Sequence, residues 1–315
     1  MILEPAPLVA VPGAPIPAGG EAHWLRAYDE LRLRAAYFPP SGAARGSVVL
    51  SPGRTEPIEK YFEVVEELQA RGFAVLVHDW RGQGLSGWLS DDPLKGCANG
   101  WRPFLADYET VIEAFADRLP KPWIAMGHSM GGGLTSLALT EGEGRFSAAV
   151  LSAPMLGVNL GGRDATQTRW IAWLMTVIGR EEAYPAPPTD PWADVFEGNV
   201  LTHDRARWER TRAQFAEAPE LMLGSVTWGW LYFALALARR IEKSRRVEGL
   251  TLPVTIVAAG EEKLVANVAS KAFAGRLQKG RWLQVPGAYH EILQETDPVR
   301  AVFWQAFDET VAAVL

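Results

Sequence analysis

The stretch "AMGHSMGGGL", residues 125–134, places Gly127, Ser129 and Gly131 at alternate positions after the apolar run "KPWI". A G-x-S-x-G pattern alone is a weak signal, because glycine and serine are common residues. Here the pattern follows a predicted buried strand and opens a predicted helix, which is the setting of a nucleophile elbow. Side chains at Gly127 and Gly131 would collide with neighbouring backbone in such a turn. The sequence therefore predicts Ser129 as an exposed, reactive nucleophile.

Short apolar runs surround this stretch and alternate with segments of helical period. Two paired strands are predicted at the start, in "AHWLRAY" and "LRLRAAYFP". The further predicted strands are residues 47–51, 73–79, 123–127, 148–153, 253–260 and 282–286. Repeated strand–helix–strand order is typical of a parallel sheet covered on both faces. We predict an α/β fold with a mostly parallel eight-stranded sheet and helices on both faces.

The alternation stops for about a hundred residues after "LSAPML". Three helical patterns and the proline-rich stretch "AYPAPPTDPW" occupy this part of the chain, and then the strand pattern resumes. We predict an α/β core formed by residues 1–154 and 251–315. Residues 155–250, here called the cap segment, are predicted to form a helical insertion between two core strands.

Composition excludes several classes of function. The net charge of −6 is unsuited to a nucleic-acid partner, which requires a basic surface. The single cysteine, Cys97, cannot form an intramolecular disulfide or a multi-cysteine metal site, and it suits a reducing compartment. The proline-containing N-terminus lacks the basic region of a signal peptide and is interpreted as an extended arm. No window is apolar enough for a membrane-spanning helix. We therefore expect a cytoplasmic location.

A serine nucleophile needs a base, and the chain contains five histidines. His23 and His78 fall in predicted strands, and His203 falls in the cap segment. His128 precedes the serine and is expected to point away from it. His290 alone follows a late strand, in the loop "VPGAYHEILQE", and loops at the carboxyl ends of parallel strands converge over the sheet. We predict His290 as the base.

The remaining parts of the site are predicted from two other loops. The loop after "VTIVAAG" contains Glu261 and Glu262 but no aspartate, so either could be the acid that orients the base. The backbone amides of Met130 and Arg54 are predicted to form an oxyanion hole. The Arg54 side chain has two open interpretations, contact with an anionic head group or simple exposure to solvent.

These stretches together resemble the α/β-hydrolase superfamily, and more narrowly its bacterial lysophospholipases and related monoacylglycerol lipases. The stretches that carry the resemblance are "LSPGRTEPIEKY", "VHDWRGQGLSGW", "ADYETVIEAF", "GHSMGGGL", "LSAPML" and "GAYHEILQETDPVR". The resemblance implies an α/β-hydrolase fold, Ser129 and His290 in their predicted roles, and amides of Arg54 and Met130 as oxyanion donors. Relatives carry an aspartate where this chain has Glu262, in "EKLV". We predict that Glu262 nevertheless orients His290, with Glu261, or a carboxylate from another loop, as the alternatives.

The resemblance also implies a reaction. Ester hydrolysis of monoacyl lipids (lysophospholipid or monoacylglycerol) through an acyl-enzyme is expected, with no cofactor and no metal. The cap segment is rich in tryptophan, and Trp173 and Trp228 are predicted to line an acyl pocket or, alternatively, to pack the cap on the core. Peripheral contact with a membrane is a further expectation. A proline-iminopeptidase-like aminopeptidase and a non-catalytic member of the fold are the alternative functions.

Overall fold

The computed structural model describes residues 3–315, which form one nine-stranded sheet flanked by helices. The strands are β1 (Glu4–Ala6), β2 (Glu21–Arg26), β3 (Arg32–Phe38), β4 (Gly46–Ser51), β5 (Phe73–His78), β6 (Trp123–His128), β7 (Phe146–Ser152), β8 (Val254–Ala259) and β9 (Gly280–Val285). Their spatial order is β1-β2-β3-β5-β4-β6-β7-β8-β9. The pairs among the first three strands and between β3 and β5 are antiparallel, and all later pairs are parallel.

Burial explains why the central strands read as unbroken apolar runs. Every residue of β4, β5, β6 and β8 is buried, so both faces of the sheet are covered there. The helices are α1 (Phe62–Ala70), α2 (Arg102–Phe115), α3 (Ser129–Glu141), α4 (Ala165–Val177), α5 (Arg205–Glu217), α6 (Trp228–Lys243), α7 (Asn267–Arg276) and α8 (Asp297–Ala312). The α/β-hydrolase architecture expected from the sequence is therefore present.

The prediction of eight strands was wrong by one. The additional strand, β1, lies in the N-terminal stretch that the sequence indicated as an extended arm. It pairs antiparallel with β2, with Pro5 opposite His23. β1 was missed because it has only three residues, one of them a proline, and so shows no alternating apolar pattern. Proline is tolerated in a sheet where its position needs no ladder hydrogen bond, as at an edge. β1 is such an edge strand.

The chain between β7 and β8 contains α4, α5 and α6, which include the three helical patterns of the predicted cap segment. Asp164, Asp204 and Thr227 each cap the start of one of these helices with a side-chain oxygen. α6 packs against both α3 and α4, whereas α5 lies against the segment that precedes α1. No helix within residues 3–315 has the length and apolar character that crossing a bilayer requires.

Candidate active site

Ser129 lies at the junction of β6 and α3, in a strained turn. Its φ is 48°, in the left-handed region that residues with a side chain rarely adopt. A Cβ at Gly131 would collide with the carbonyl oxygens of Ser51 and Pro52, and one at Gly127 would lie 2.8 Å from the Gly132 Cα. These close approaches explain why both positions are glycine. The chain can therefore turn sharply here and lift the Ser129 hydroxyl above the sheet.

His290 and Glu262 complete a continuous series of hydrogen bonds with Ser129. The His290 Nε2 is 2.9 Å from the Ser129 Oγ, and its Nδ1 is 2.7 Å from the Glu262 Oε2. A carboxylate can only accept, so Nδ1 carries the proton and Nε2 accepts from the serine hydroxyl. The side chains of His290 and Glu262 are only 4% and 2% exposed. In this arrangement the imidazole can remove the serine proton, and the carboxylate can stabilise the imidazolium that results.

Glu262, rather than Glu261, is the carboxylate that reaches the imidazole. Its second oxygen, Oε1, accepts from the amides of Leu264 at 2.7 Å and Val265 at 3.2 Å. Burial opposes ionisation, but the hydrogen bond and charge of His290, together with these amides, hold the pKa of Glu262 below its usual value. Glu261 is exposed, and its amide donates to the Ala288 carbonyl.

Two backbone amides near Ser129 are free to donate. Within residues 3–315, the amides of Arg54 and Met130 make no hydrogen bond to another protein group, and both residues line the cavity that contains Ser129. The loop that carries Arg54 is fixed by Glu56, whose Oε2 accepts from the Gly53 amide at 2.5 Å and from the Tyr61 hydroxyl at 2.6 Å. Such preorganised donors suit the negative oxygen of a tetrahedral intermediate.

A buried charged network, which the sequence did not indicate, supports this loop. The Lys60 Nζ lies 2.9 Å from Glu56 Oε1 and 2.5 Å from Glu291 Oε1. Burial alone would raise the pKa of Glu56, but the Lys60 and His128 charges and the Tyr61 hydrogen bond lower it to about 2. Lys60 thus ties the loop before α1 to the residue that follows His290. Lys60 and Glu291 are 231 positions apart along the chain, so no local pattern could have revealed their contact.

His128 differs in part from its expected orientation. It makes no hydrogen bond to the Ser129 hydroxyl, but its ring remains beside the site, with its centroid 4.9 Å from that of His290. Its Nδ1 lies 3.2 Å from both oxygens of Ser152, the backbone carbonyl and the hydroxyl. Burial lowers the pKa of His128 to about 4, so the ring is neutral at pH 7. It is therefore a packed neighbour of His290 rather than a second base.

The cavity above Ser129 has a volume of about 350 Å³. Its apolar walls are formed by Met130, Met155, Val158, Leu201, Val226, Trp230, Leu264 and Val265. Neither tryptophan predicted to line it does so. Trp173 is 39% exposed on α4 and packs against Trp170, with ring centroids 5.3 Å apart. Trp228 is two residues from Trp230, about 200° around α6, and therefore faces away from the cavity.

Among the described residues, no group of three or more histidine, cysteine, aspartate or glutamate side chains is arranged to hold a metal ion.

Comparisons with known proteins show the family and the fold of this chain. A family model described as serine aminopeptidase S33 matches residues 42–297. Lysophospholipase L2 of Escherichia coli K12 is 32% identical over 285 residues, which cover 87% of this chain and 82% of that protein. A monoacylglycerol lipase of Mycolicibacterium smegmatis is 26% identical and covers 85% and 89% of the two chains. A soluble variant of the Saccharomyces cerevisiae monoglyceride lipase, solved with a substrate analog, has the same fold, with a TM-score of 0.73. The two chains are 21% identical, and the match covers 95% of this chain and 98% of that one.

Proposed function

Because this chain belongs to the serine aminopeptidase S33 family, in its lysophospholipase and monoacylglycerol lipase branch, we propose that it hydrolyses carboxylic esters of monoacyl lipids. The observation that carries the proposal is the hydrogen-bonded series from Glu262 through His290 to Ser129. This series contains the nucleophile, base and orienting acid that acyl transfer needs. Two of the relatives named above are a lysophospholipase and a monoacylglycerol lipase, which favours a lipid ester.

The proposed reaction has two halves. Ser129 Oγ attacks the ester carbonyl while His290 takes its proton, and the amides of Arg54 and Met130 stabilise the resulting oxyanion. His290 then protonates the leaving alcohol, and an acyl-enzyme remains on Ser129. A water molecule, activated by the same imidazole, cleaves the acyl-enzyme and releases the fatty acid.

The acyl chain is proposed to occupy the cavity above Ser129. Its aliphatic, thioether and indole side chains suit a hydrocarbon chain. Trp230, which lies on α6, replaces Trp173 and Trp228 as the aromatic residue in contact with the substrate. The cap segment would therefore contribute to the acyl pocket through one of its helices.

We also propose that this protein is cytoplasmic and contacts the membrane surface peripherally. α4 carries exposed large apolar residues, and its only buried residue is Ala172. An exposed apolar face of this kind suits contact with the lipid surface from which a monoacyl substrate is taken.

The aminopeptidase alternative is kept because the matching family model is described as serine aminopeptidase S33. An aminopeptidase needs an unpaired carboxylate near the nucleophile to hold the substrate ammonium group. Two glutamates, Glu56 and Glu291, line the cavity together with Ser129 and His290. Both glutamates are paired with Lys60. This pairing favours the ester hydrolase over the aminopeptidase.

The experiment compares three substrates in one assay: a lauroyl lysophospholipid, 1-lauroylglycerol and an aminoacyl anilide. We expect ester hydrolysis by the unaltered protein and a loss on the order of 10⁴- to 10⁶-fold in kcat for Ser129→Ala. The exposed Ser41 supplies the matched control, Ser41→Ala, which should hydrolyse both esters at the original rate. A fluorophosphonate probe should label Ser129. Cleavage of the anilide alone would establish the aminopeptidase, and an inert protein that the probe does not label would be a non-catalytic member of the fold.

A further inference from the structure

A second cavity, of about 420 Å³, adjoins the one above Ser129. The two cavities share the wall residues Arg54, Thr55, Leu201, Val226 and Glu291. Four basic side chains line the second cavity: Arg54, Lys60, Arg207 and Arg212. Lys60 and Arg207 are neutralised by carboxylates within 3 Å, whereas Arg54 and Arg212 have no carboxylate within 4 Å among residues 3–315. The second cavity therefore has two guanidinium charges on its wall that the protein leaves unneutralised.

Arg54 lies in the loop between β4 and α1, and its side chain on the cavity wall contacts only neutral groups. Its Nη2 donates to the Gly224 carbonyl, and its guanidinium carbon lies 5.4 Å from the centre of the Trp230 ring. Its Nε is buried and has no hydrogen-bond partner. A Cβ at Gly96 would collide with the guanidinium, so the absence of a side chain there leaves room for it. The side chain is thus half-buried against these segments, which differs from simple exposure to solvent.

Burial lowers the pKa of Arg54 to about 10, and the side chain is therefore still charged at pH 7. Even partial burial of a cation without a counter-ion is costly, unless a ligand supplies the missing negative charge. The Nε–H is one hydrogen-bond donor of this side chain that the protein leaves without a partner.

Arg212 lies on α5 and is held in a similar way. It donates from Nη1 to the Pro191 carbonyl at 2.8 Å and from Nη2 to the Trp192 carbonyl at 3.1 Å. Its guanidinium carbon lies 5.8 Å from the ring centres of both Trp192 and Trp208. The carbonyl oxygens and indole rings orient the guanidinium, but they carry no charge and therefore do not neutralise it. The carboxylates on the cavity wall are the exposed Asp194 and Glu291, which is already paired with Lys60.

We propose that the second cavity is a subsite for a phosphate ester, and that it receives the phosphate head group of a lysophospholipid whose ester lies at Ser129. Guanidinium groups present planar pairs of donors that match phosphate oxygens. The uncharged glycerol of a monoacylglycerol offers no charge to Arg54 and Arg212. The subsite therefore selects lysophospholipids over monoacylglycerols. The assignment of the acyl ester to Ser129 rests on the proposed function, whereas the phosphate subsite can be tested without hydrolysis.

The first experiment measures binding of ether lipids, which contain no ester to cleave. The probes are 1-O-dodecylglycerol 3-phosphate and uncharged 1-O-dodecylglycerol, titrated calorimetrically into the protein. We expect the phosphate to improve affinity at least 10-fold, and Arg54→Met and Arg212→Met each to remove most of that improvement. Arg54→Lys should restore part of it. The control is Arg205→Met, an exposed arginine on the same helix as Arg212, which should keep the full preference. Equal affinity for the two probes, or a preference that survives both methionine variants, would overturn the proposal.

Two further measurements separate the remaining outcomes. Free glycerol 3-phosphate that binds as tightly as the ether phosphate would assign the cavity to a soluble phosphate ester and would reject the lipid head group. The ratio of kcat/KM for lauroyl lysophosphatidic acid to that for 1-lauroylglycerol should fall about 10- to 100-fold in Arg54→Met, and an unchanged ratio would count against the subsite. A protein that binds the ether phosphate through both arginines but cleaves neither ester would retain the subsite and refute the proposed function.

Discussion

Glu262 contacts the His290 imidazole through one carboxylate oxygen, while two backbone amides fix the other oxygen. Replacing the acid by the amide in Glu262→Gln removes the charge that stabilises the imidazolium and offers an NH₂ group where Nδ1–H needs an acceptor. Loss of the corresponding acid in a comparable triad costs on the order of 10⁴-fold in kcat. We expect a loss of that size for Glu262→Gln, measured on a monoacyl ester under saturating conditions.

Two variants make this test specific to the residue. Glu262→Asp keeps the charge one methylene further from the ring and should retain part of the activity. Glu261→Gln alters an exposed side chain and should leave kcat near that of the original protein. An inactive Glu261→Gln beside an active Glu262→Gln would mean that the loop has a different register from the one described. Full activity in both would assign the acid to another loop.

The sequence could predict the residues whose positions follow from where strands end. Ser129 and His290 follow β6 and β9, and the carboxyl ends of parallel strands meet at one edge of the sheet. Side-chain directions were harder to predict, because they depend on packing between distant segments. His128 stays beside His290 because Ser152 holds its ring, and Trp230 rather than Trp228 faces the cavity because of the rotation of α6 against the core.

At the scale of one element, α4 presents large apolar side chains to solvent. Trp170, Ile171, Leu174, Val177 and Ile178 are each between 45% and 60% exposed. Their spacing places them along one face of the helix. Arg163, Arg169 and Arg180 lie near its two ends and form no ion pair within residues 3–315. An apolar face with tryptophan and flanking basic residues fits the surface of an anionic bilayer.

Removing this face should weaken lipid binding without affecting folding. We expect the double variant Trp170→Ala/Leu174→Ala to bind phosphatidylglycerol vesicles at least 10-fold more weakly in co-sedimentation, because two partly inserted side chains each lose a substantial apolar contact area. Val268→Ala shortens an even more exposed aliphatic residue, 78% exposed on α7, and should bind as the original protein does. Equal binding by all three proteins would rule out α4 as the contact surface.

At the scale of the whole molecule, the Glu63 carboxylate is among the groups that connect the cap segment to the core. Glu63 on α1 accepts from Arg207 at 2.6 Å and Arg210 at 2.7 Å, both on α5, and from Arg300 on α8 at 3.0 Å. The sequence could not predict this contact, since Glu63 and Arg207 are 144 residues apart. Long-range ion pairs leave no periodic pattern, and only the packing of helices against each other brings these charges together.

The stability of the molecule should therefore depend on the charge of Glu63. Burial alone would raise its pKa, but the three arginines lower it to about 2, from a usual value of 4.5. A carboxylate whose pKa is lowered by folding stabilises the folded state above its usual pKa, and this contribution disappears as the pH falls towards the lowered value. Glu63→Gln should reduce the free energy of unfolding at pH 7 by about 2 kcal/mol. In urea titrations the difference from the original protein should be complete at pH 6 and should shrink between about pH 4.5 and pH 2.5.

Glu66→Gln, at an exposed position of the same helix with no ion pair among the described residues, should have no such effect. A deficit in Glu63→Gln that stayed constant down to pH 2.5 would mean that the ionised carboxylate does not hold α5 to the core.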